Sequence, residues 1–228
     1  MPKRFLIAAA SSNSGKTTVT IGLLRALRNR GLSVQPYKCG PDYIDTMLHR
    51  MASGAESVNL DTFMSSPQHV RQLFATYSAS ADISVIEGVM GMFDGFDKSC
   101  GSSAEIAKVL GAPVILVVSA KSVAYSVAPL IYGFKHFDPE VKIAGVIFNQ
   151  VASDNHYRML REACEDAGVE CLGYMPRNER LVIPSRHLGL TIQAEDEVEQ
   201  LLQLASAEME RHVDIDRLLN MNCQNTGY

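Results

Sequence analysis

The residues of this chain best suited to chemistry lie in the run Ala9-Ala10-Ser11-Ser12-Asn13-Ser14-Gly15-Lys16-Thr17-Thr18. An apolar, strand-like stretch (Phe5 to Ala8) precedes it, and a helix-like one (Val19 to Leu27) follows. Strand, tight loop and helix form the setting in which free backbone N–H groups and the positive end of a helix dipole meet an anion. Gly15, Lys16 and Thr17 complete the pattern G-x-x-x-x-G-K-[ST], whereas Ala10 stands where its first glycine belongs. The expected chemistry is binding of a nucleoside triphosphate. Asn13, Ser14, Gly15, Lys16, Thr17 and Thr18 would surround the phosphates, with Lys16 reaching the outer ones and the Thr17 hydroxyl on a magnesium ion.

Other polar residues fall at the ends of apolar stretches, where ligands of an open parallel sheet collect. Asp42 and Asp45 follow Ser33 to Lys38, Glu87 follows Ile83 to Ile86, and Asn149 follows Ile143 to Phe148. Together with Lys16 they are expected to form one site. Magnesium takes oxygen ligands and binds through one or two carboxylates plus phosphate, which makes Thr17, Asp45 and Glu87 a suitable set. Asp42, behind Pro41, suits a turn better than Asp45 does. The Asn149 amide fits a purine edge, and Pro176-Arg177 would wall the same base.

The loop Gly88 to Asp97 combines glycines, which permit close approach, with Met and Phe side chains that are costly to leave in water. A large substrate face, a subunit interface (which leaves a homodimer open) and a loop folded on itself each account for it. Asp94 and Asp97 add carboxylates there, Asp97 being placed nearer the substrate. Gly101 to Glu105 has the residues of a capped helix start, and capping alone explains them. Arg186-His187 is a basic pair in a loop, suited to a substrate carboxylate.

The elements that must carry these residues alternate. Besides the strands above, Pro113 to Val118 and Cys171 to Met175 read as strands. Helical stretches lie at about Pro67–Tyr77, Ser103–Leu110, Ser126–Lys135, Asn155–Ala167 and Glu195–Arg211. That order predicts an α/β fold, a mostly parallel sheet with helices on both faces. Residues 1–217 read as one domain, and residues 218–228, rich in Asn and Gln, as a flexible tail. The net charge of −4 and the lack of Lys/Arg runs argue against nucleic acid as a partner. No apolar run is long enough to cross a bilayer. Five scattered cysteines suggest reduced thiols in a cytoplasmic protein.

Several segments resemble, in order, a known family. They are Lys38-Cys39-Gly40-Pro41-Asp42-Tyr43-Ile44-Asp45, Asn59-Leu60-Asp61, Glu87-Gly88-Val89-Met90-Gly91-Met92-Phe93-Asp94-Gly95, Gly111-Ala112-Pro113-Val114, Gly145-Val146-Ile147-Phe148-Asn149 and Arg186-His187-Leu188-Gly189-Leu190. Together they are similar to the ATP-dependent cobyrinate a,c-diamide synthase family of corrinoid biosynthesis. The resemblance implies a P-loop fold like that of dethiobiotin synthetase, with ATP and Mg2+ as cofactors. It implies that a tetrapyrrole carboxylate is phosphorylated and that ammonia then displaces the phosphate. In such relatives the loop threonine and two strand-end acids hold magnesium, which correspond here to Thr17, Asp45 and Glu87. Lys16, Asp45, Glu87 and Asp97 are then expected to serve catalysis. Asp42, Tyr43, Met90, Asp94, Arg186 and His187 would serve substrate binding.

Ammonia in that family comes from a fused C-terminal glutaminase domain with a cysteine nucleophile. No cysteine here lies in such a setting, so the sequence reads as the synthetase part alone, with the glutaminase domain absent. Cobyrinate, hydrogenobyrinate and nickel-sirohydrochlorin remain open as substrates. Two alternatives share the loop: a dethiobiotin synthetase-like ligase, which has little use for the Met-Phe loop, and a partition- or septum-type ATPase switch. The switch proteins usually carry an extra lysine where this chain has Ser11.

Overall fold

The structure, a computed structural model, describes residues 3–183 and 192–221. Strands β1 (Lys3–Ala9), β2 (Val34–Cys39), β3 (Val58–Leu60), β4 (Ile83–Glu87), β5 (Val114–Ser119), β6 (Ile143–Val151) and β7 (Cys171–Pro176) form one sheet. Their order is β3-β2-β4-β1-β5-β6-β7, and every neighbouring pair is parallel. Such a sheet buries both faces, and its strands are correspondingly apolar throughout. Side chains alternate along each strand. On β1, Phe5, Ile7 and Ala9 join a core with α1 (Lys16–Asn29), α2 (Ile44–Ser53), α7 (Ile192–His212) and α8 (Ile215–Met221). Leu6 and Ala8 point the other way, into a core with α3 (Pro67–Tyr77), α4 (Ser103–Leu110), α5 (Val127–Phe137) and α6 (Asp154–Asp166). The mostly parallel, two-faced α/β architecture read from the sequence is the one observed.

Helix α1 is caught between the sheet and α7, which explains why so few of its residues reach water. Gly22 permits that approach, since a Cβ there would lie 3.0 Å from the Ala205 carbonyl oxygen.

Three elements escape the sequence pattern. Helix α2 begins directly behind a Pro-Asp turn, where the Asp42 carboxylate accepts from the amides of Ile44 and Asp45, both 2.9 Å. Strand β3 has only 3 residues, too few for a period to show. Helix α8 corrects the expected tail. The Asp214 carboxylate accepts from the Arg217 amide (2.8 Å), and Ile215 and Leu218 are buried in the α1-side core, so helix continues through Met221. Residues 222–228 of that tail lie outside the described residues. Leu218→Ala is therefore expected to lower unfolding free energy by about 2–5 kcal/mol in urea titration, as for other buried leucines. A residue in a solvated tail would change it by less than about 0.5 kcal/mol.

Candidate active site

The site begins with strand register. Ile7 on β1 and Lys38 on β2 both pair with Glu87 on β4, which sets the ends of three adjacent strands side by side. Glu87 and Lys38 face the α1/α2 side of the sheet, in step with Val85 and Val34 of that core. The loop after β1 lies over them. Asn13 and Gly15 take left-handed backbone, with φ of 63° and 89°. Ala10 does not, so the loop makes no use of a glycine's freedom at that position. Ser14 ties the loop to itself by donating to the Ser11 carbonyl at 2.8 Å. Helix α1 starts at Lys16 with no side-chain cap and no acid in its first turn. Its leading N–H groups and positive dipole end are left to a ligand.

A cleft of about 690 Å³ opens here, within the range of small-molecule sites. Asn13, Gly15, Lys16, Thr17, Thr18, Asp42, Asp45, Glu87, Met90, Asn149, Pro176 and Arg177 all line it. The polar residues read at the strand ends thus meet in one place.

Glu87 is the centre of the electrostatics. It is fully buried, and both of its oxygens are engaged. Oε1 accepts from the Thr17 hydroxyl (2.7 Å) and from the Lys38 ammonium (3.1 Å), while Oε2 accepts from His49 Nε2 (2.6 Å). Burial pushes this carboxyl upward, but Lys38, His49 and Thr17 overcome that and hold it below the usual carboxylate range. The Lys38 ammonium also meets Asp45 Oδ2 at 2.7 Å and the Gly88 carbonyl at 3.1 Å. Burial alone would lower Lys38, yet Glu87 and Asp45 leave it raised. Asp45 is itself pushed up, first by burial and then by the Glu87 charge. Lys16 Nζ donates to the Met90 carbonyl (2.8 Å), and burial lowers its pKa. Lys38 and His49 were not singled out as site residues from the sequence. The register of Lys38 with Glu87 needed the sheet, and His49 needed α2.

Other expected site residues have observable local roles. Asn149 Nδ2 donates to the Ser14 carbonyl at 3.0 Å and packs against Gly15, where a Cβ would come within 1.8 Å of it. One amide hydrogen of Asn149 therefore braces the loop. Asp42 caps α2 while lining the cleft. Asn59 faces the same turn, its amide nitrogen donating at 3.2 Å to the carbonyls of Gly40 and Asp42. Tyr43 is 79% exposed and does not line the cleft. Asp94 accepts from the Gly91 amide (3.0 Å), and Asp97 is exposed in the same loop; neither lines the cleft. Met92 of that loop is core, whereas Phe96 is exposed and meets Phe63 edge-on. Ser102 and Glu105 form a reciprocal cap, the Ser102 hydroxyl accepting from the Glu105 amide and the Glu105 carboxylate from that of Gly101. Arg186 and His187 lie outside the described residues.

The family model described as "CobQ/CobB/MinD/ParA nucleotide binding domain" matches residues 5–190, a span holding the whole loop, the Glu87 cluster and the far wall of the cleft. The chain belongs to this family. As a CobQ/CobB/MinD/ParA nucleotide-binding domain it has the P-loop architecture described above. The chain is 50% identical over 224 residues to the cobyrinate a,c-diamide synthase of Listeria innocua, covering 96% of this chain and 50% of that protein. It is 47% identical to the Salmonella typhimurium cobyrinate a,c-diamide synthase (96% and 48% covered). Against the hydrogenobyrinate a,c-diamide synthase of Brucella anthropi it is 46% identical (95% and 50%). The chain thus spans about half the length of these relatives. Among solved structures it is similar in fold to chloroplast FtsY from Physcomitrella patens, with a TM-score of 0.54 at 12% identity, covering 90% of this chain and 65% of that one.

The donor set suits a magnesium nucleotide. Thr17, Asp45 and Glu87 all line the cleft, with Thr17 Oγ1 and Glu87 Oε1 2.7 Å apart; all offer hard oxygen donors, few enough to leave coordination positions for phosphate and water. Among the described residues there is no group of three or more His, Cys, Asp or Glu that could hold a metal ion. No helix among the described residues is long and apolar enough to cross a membrane.

Proposed function

We propose that this chain is the ATP-dependent amidoligase part of an a,c-diamide synthase, converting side-chain carboxylates of a corrinoid precursor to amides. The observation that carries this reading is the cleft itself. An uncapped helix start and Lys16 lie beside the Thr17–Glu87–Asp45 oxygen cluster, in a chain about half identical to proteins named for that reaction. Thr17, Asp45 and Glu87 would hold Mg2+, which when bound neutralises charge on the outer phosphates. Lys16 and the first N–H groups of α1 orient the triphosphate, and Lys38 supplies a further fixed positive charge beside Glu87. A substrate carboxylate oxygen attacks the terminal phosphorus, and ADP leaves. The nitrogen of ammonia then attacks the acyl carbon of the resulting acyl phosphate, giving the amide and releasing inorganic phosphate. Phosphoryl transfer of this kind depends on positioning and charge neutralisation, which a buried, fully hydrogen-bonded cluster provides.

A broad, partly apolar substrate fits the exposed aromatic residues at this end of the sheet. Tyr43 follows β2, Phe63 follows β3 and Phe96 follows β4, all largely in water. Asn149 has a second amide hydrogen to offer an adenine edge. The ammonia source would be a glutaminase domain. Cys39 cannot supply the thiolate for that step, because burial pushes its thiol up to about 12.

The test is to incubate the chain with ATP, Mg2+ and ammonium chloride at raised pH, with cobyrinate, hydrogenobyrinate or nickel-sirohydrochlorin, and to look for amides by mass spectrometry. Amide with at least one substrate, and none when glutamine replaces ammonium, is the expected result. ATP hydrolysis without amide from any of them would favour the switch-type reading and overturn this one.

A further inference from the structure

The Glu87 carboxylate is asymmetric in its surroundings. Oε1 meets Thr17 and Lys38, both of which line the cleft, whereas Oε2 meets the buried His49 Nε2 at 2.6 Å. His49 is fully buried on α2, and its other ring nitrogen, Nδ1, lies 3.0 Å from Ser57 Oγ. Facing a carboxylate oxygen at 2.6 Å, which accepts, Nε2 is the ring nitrogen that donates. The imidazole is thus fixed at both ends, by a hydroxyl just ahead of β3 and by a carboxylate at the end of β4.

A glutamate's terminal torsion is soft and roughly two-fold, so a free Glu87 could turn either or both oxygens toward the cleft. His49 removes that freedom by occupying Oε2. Only Oε1 then remains on the side of Thr17, and a single-oxygen presentation suits a small octahedral cation better than a chelating pair does. His49 also stands one helical turn after Asp45, so one face of α2 sets both carboxylates.

We propose that His49 is a positioning residue for the metal–nucleotide site, holding Glu87 in a one-oxygen presentation beside Thr17. The proposal rests on the reading that Thr17, Asp45 and Glu87 hold the divalent cation. It assigns His49 no contact with substrate or nucleotide. Its effect passes through the Glu87 carboxylate, and Ser57 acts in turn by orienting the ring.

Mn2+ is the probe, titrated by paramagnetic resonance into protein loaded with a non-hydrolysable ATP analogue. His49→Leu removes the donor while filling much of the space. It is expected to weaken Mn2+ binding about 10- to 100-fold, the usual effect of losing a hydrogen bond to a metal ligand, with analogue affinity in metal-free buffer unchanged. His49→Gln places an amide N–H near the position of Nε2 and is expected to restore most of the Mn2+ affinity. A purely structural role would lower thermal stability in both variants without separating metal-dependent from metal-free binding.

Undiminished Mn2+ affinity in folded His49→Leu overturns the proposal, as does a His49→Gln variant as weak as His49→Leu. Should His49→Leu fail to fold, Ser57→Ala decides. Several-fold weaker Mn2+ binding in that variant supports the proposal, and unchanged binding overturns it. A parent protein that binds no Mn2+ with nucleotide removes the metal-site reading, and this proposal with it. A parent that binds Mn2+ while the variants do not diverge overturns the role of His49 alone.

Discussion

Lys16→Ala is expected to lower ATP-dependent turnover roughly 10²- to 10³-fold, the scale of losing one preorganised donor to a developing charge, and to leave the protein folded. Lys16 stands at the first position of α1 on the cleft wall, outside both apolar cores. Its ammonium donates to the Met90 carbonyl, a loop contact whose loss leaves an acceptor within reach of water. Burial lowers the lysine's pKa, and the Glu87 charge offsets only part of that. Turnover and thermal melting measured on the same preparation check the claim. Near-parental turnover would remove Lys16 from the phosphate site.

Glu87→Gln is expected to act on stability as well as on turnover. The substitution keeps size but removes the charge that compensates Lys38, leaving that ammonium with Asp45 and the Gly88 carbonyl. Breaking a buried ion pair from one side destabilises by about 3–5 kcal/mol, readable in urea titration. Turnover should fall by orders of magnitude, since the Thr17 hydroxyl also loses its charged partner. The same group gives an acid dependence whose sign can be worked out. Its carboxyl is depressed in the folded protein. Its stabilisation is therefore full above the unfolded value of about 4.3 and is lost as pH falls from there toward the folded one. Asp45, pushed upward by burial and by Glu87, acts in the opposite sense. The parent's acid loss is thus smaller than Glu87 alone would produce. Urea titrations at a series of acid pH values should show the parent losing its advantage over Glu87→Gln across that window.

Where an element carries its own period or its own punctuation, the sequence was sufficient to find it. β1, the loop and α1 are legible because Gly15-Lys16-Thr17 sits between an apolar run and a helical one. β5 is legible as a continuous, largely β-branched run, and β6 as an apolar one that ends at Asn149. Asp45, Glu87 and Asn149 stood out because polar residues at the ends of buried strands are rarely there for packing. What stayed hidden depends on partners distant along the chain. Lys38 looks like an ordinary end to a strand until β4 is placed against it. His49 looks like one polar residue of an unpredicted helix until α2 folds over Glu87. Leu218 lies among asparagines, and its burial depends on a core assembled from α1 and α7. Asn149 shows a further role that the sequence does not display. It was read only for the base, yet its contact with Ser14 lies 135 residues back along the chain and serves the loop.

The sheet order has a consequence for the newborn chain. β1 is made before both of its neighbours, β4 and β5, and the helix that follows it is covered by α7, made later still. As synthesis proceeds from the N-terminus, one edge of β1 stays bare until Glu87 has left the ribosome and the other until Ser119 has, and α1 stays uncovered until His212 has. Late, long-range parallel pairing is slow and exposes apolar surface while it waits. Thr17, Lys38 and Glu87 likewise meet only once β4 has been placed between β1 and β2. The apolar stretch of β1, Phe5 to Ala9, is meanwhile a natural target for a chaperone.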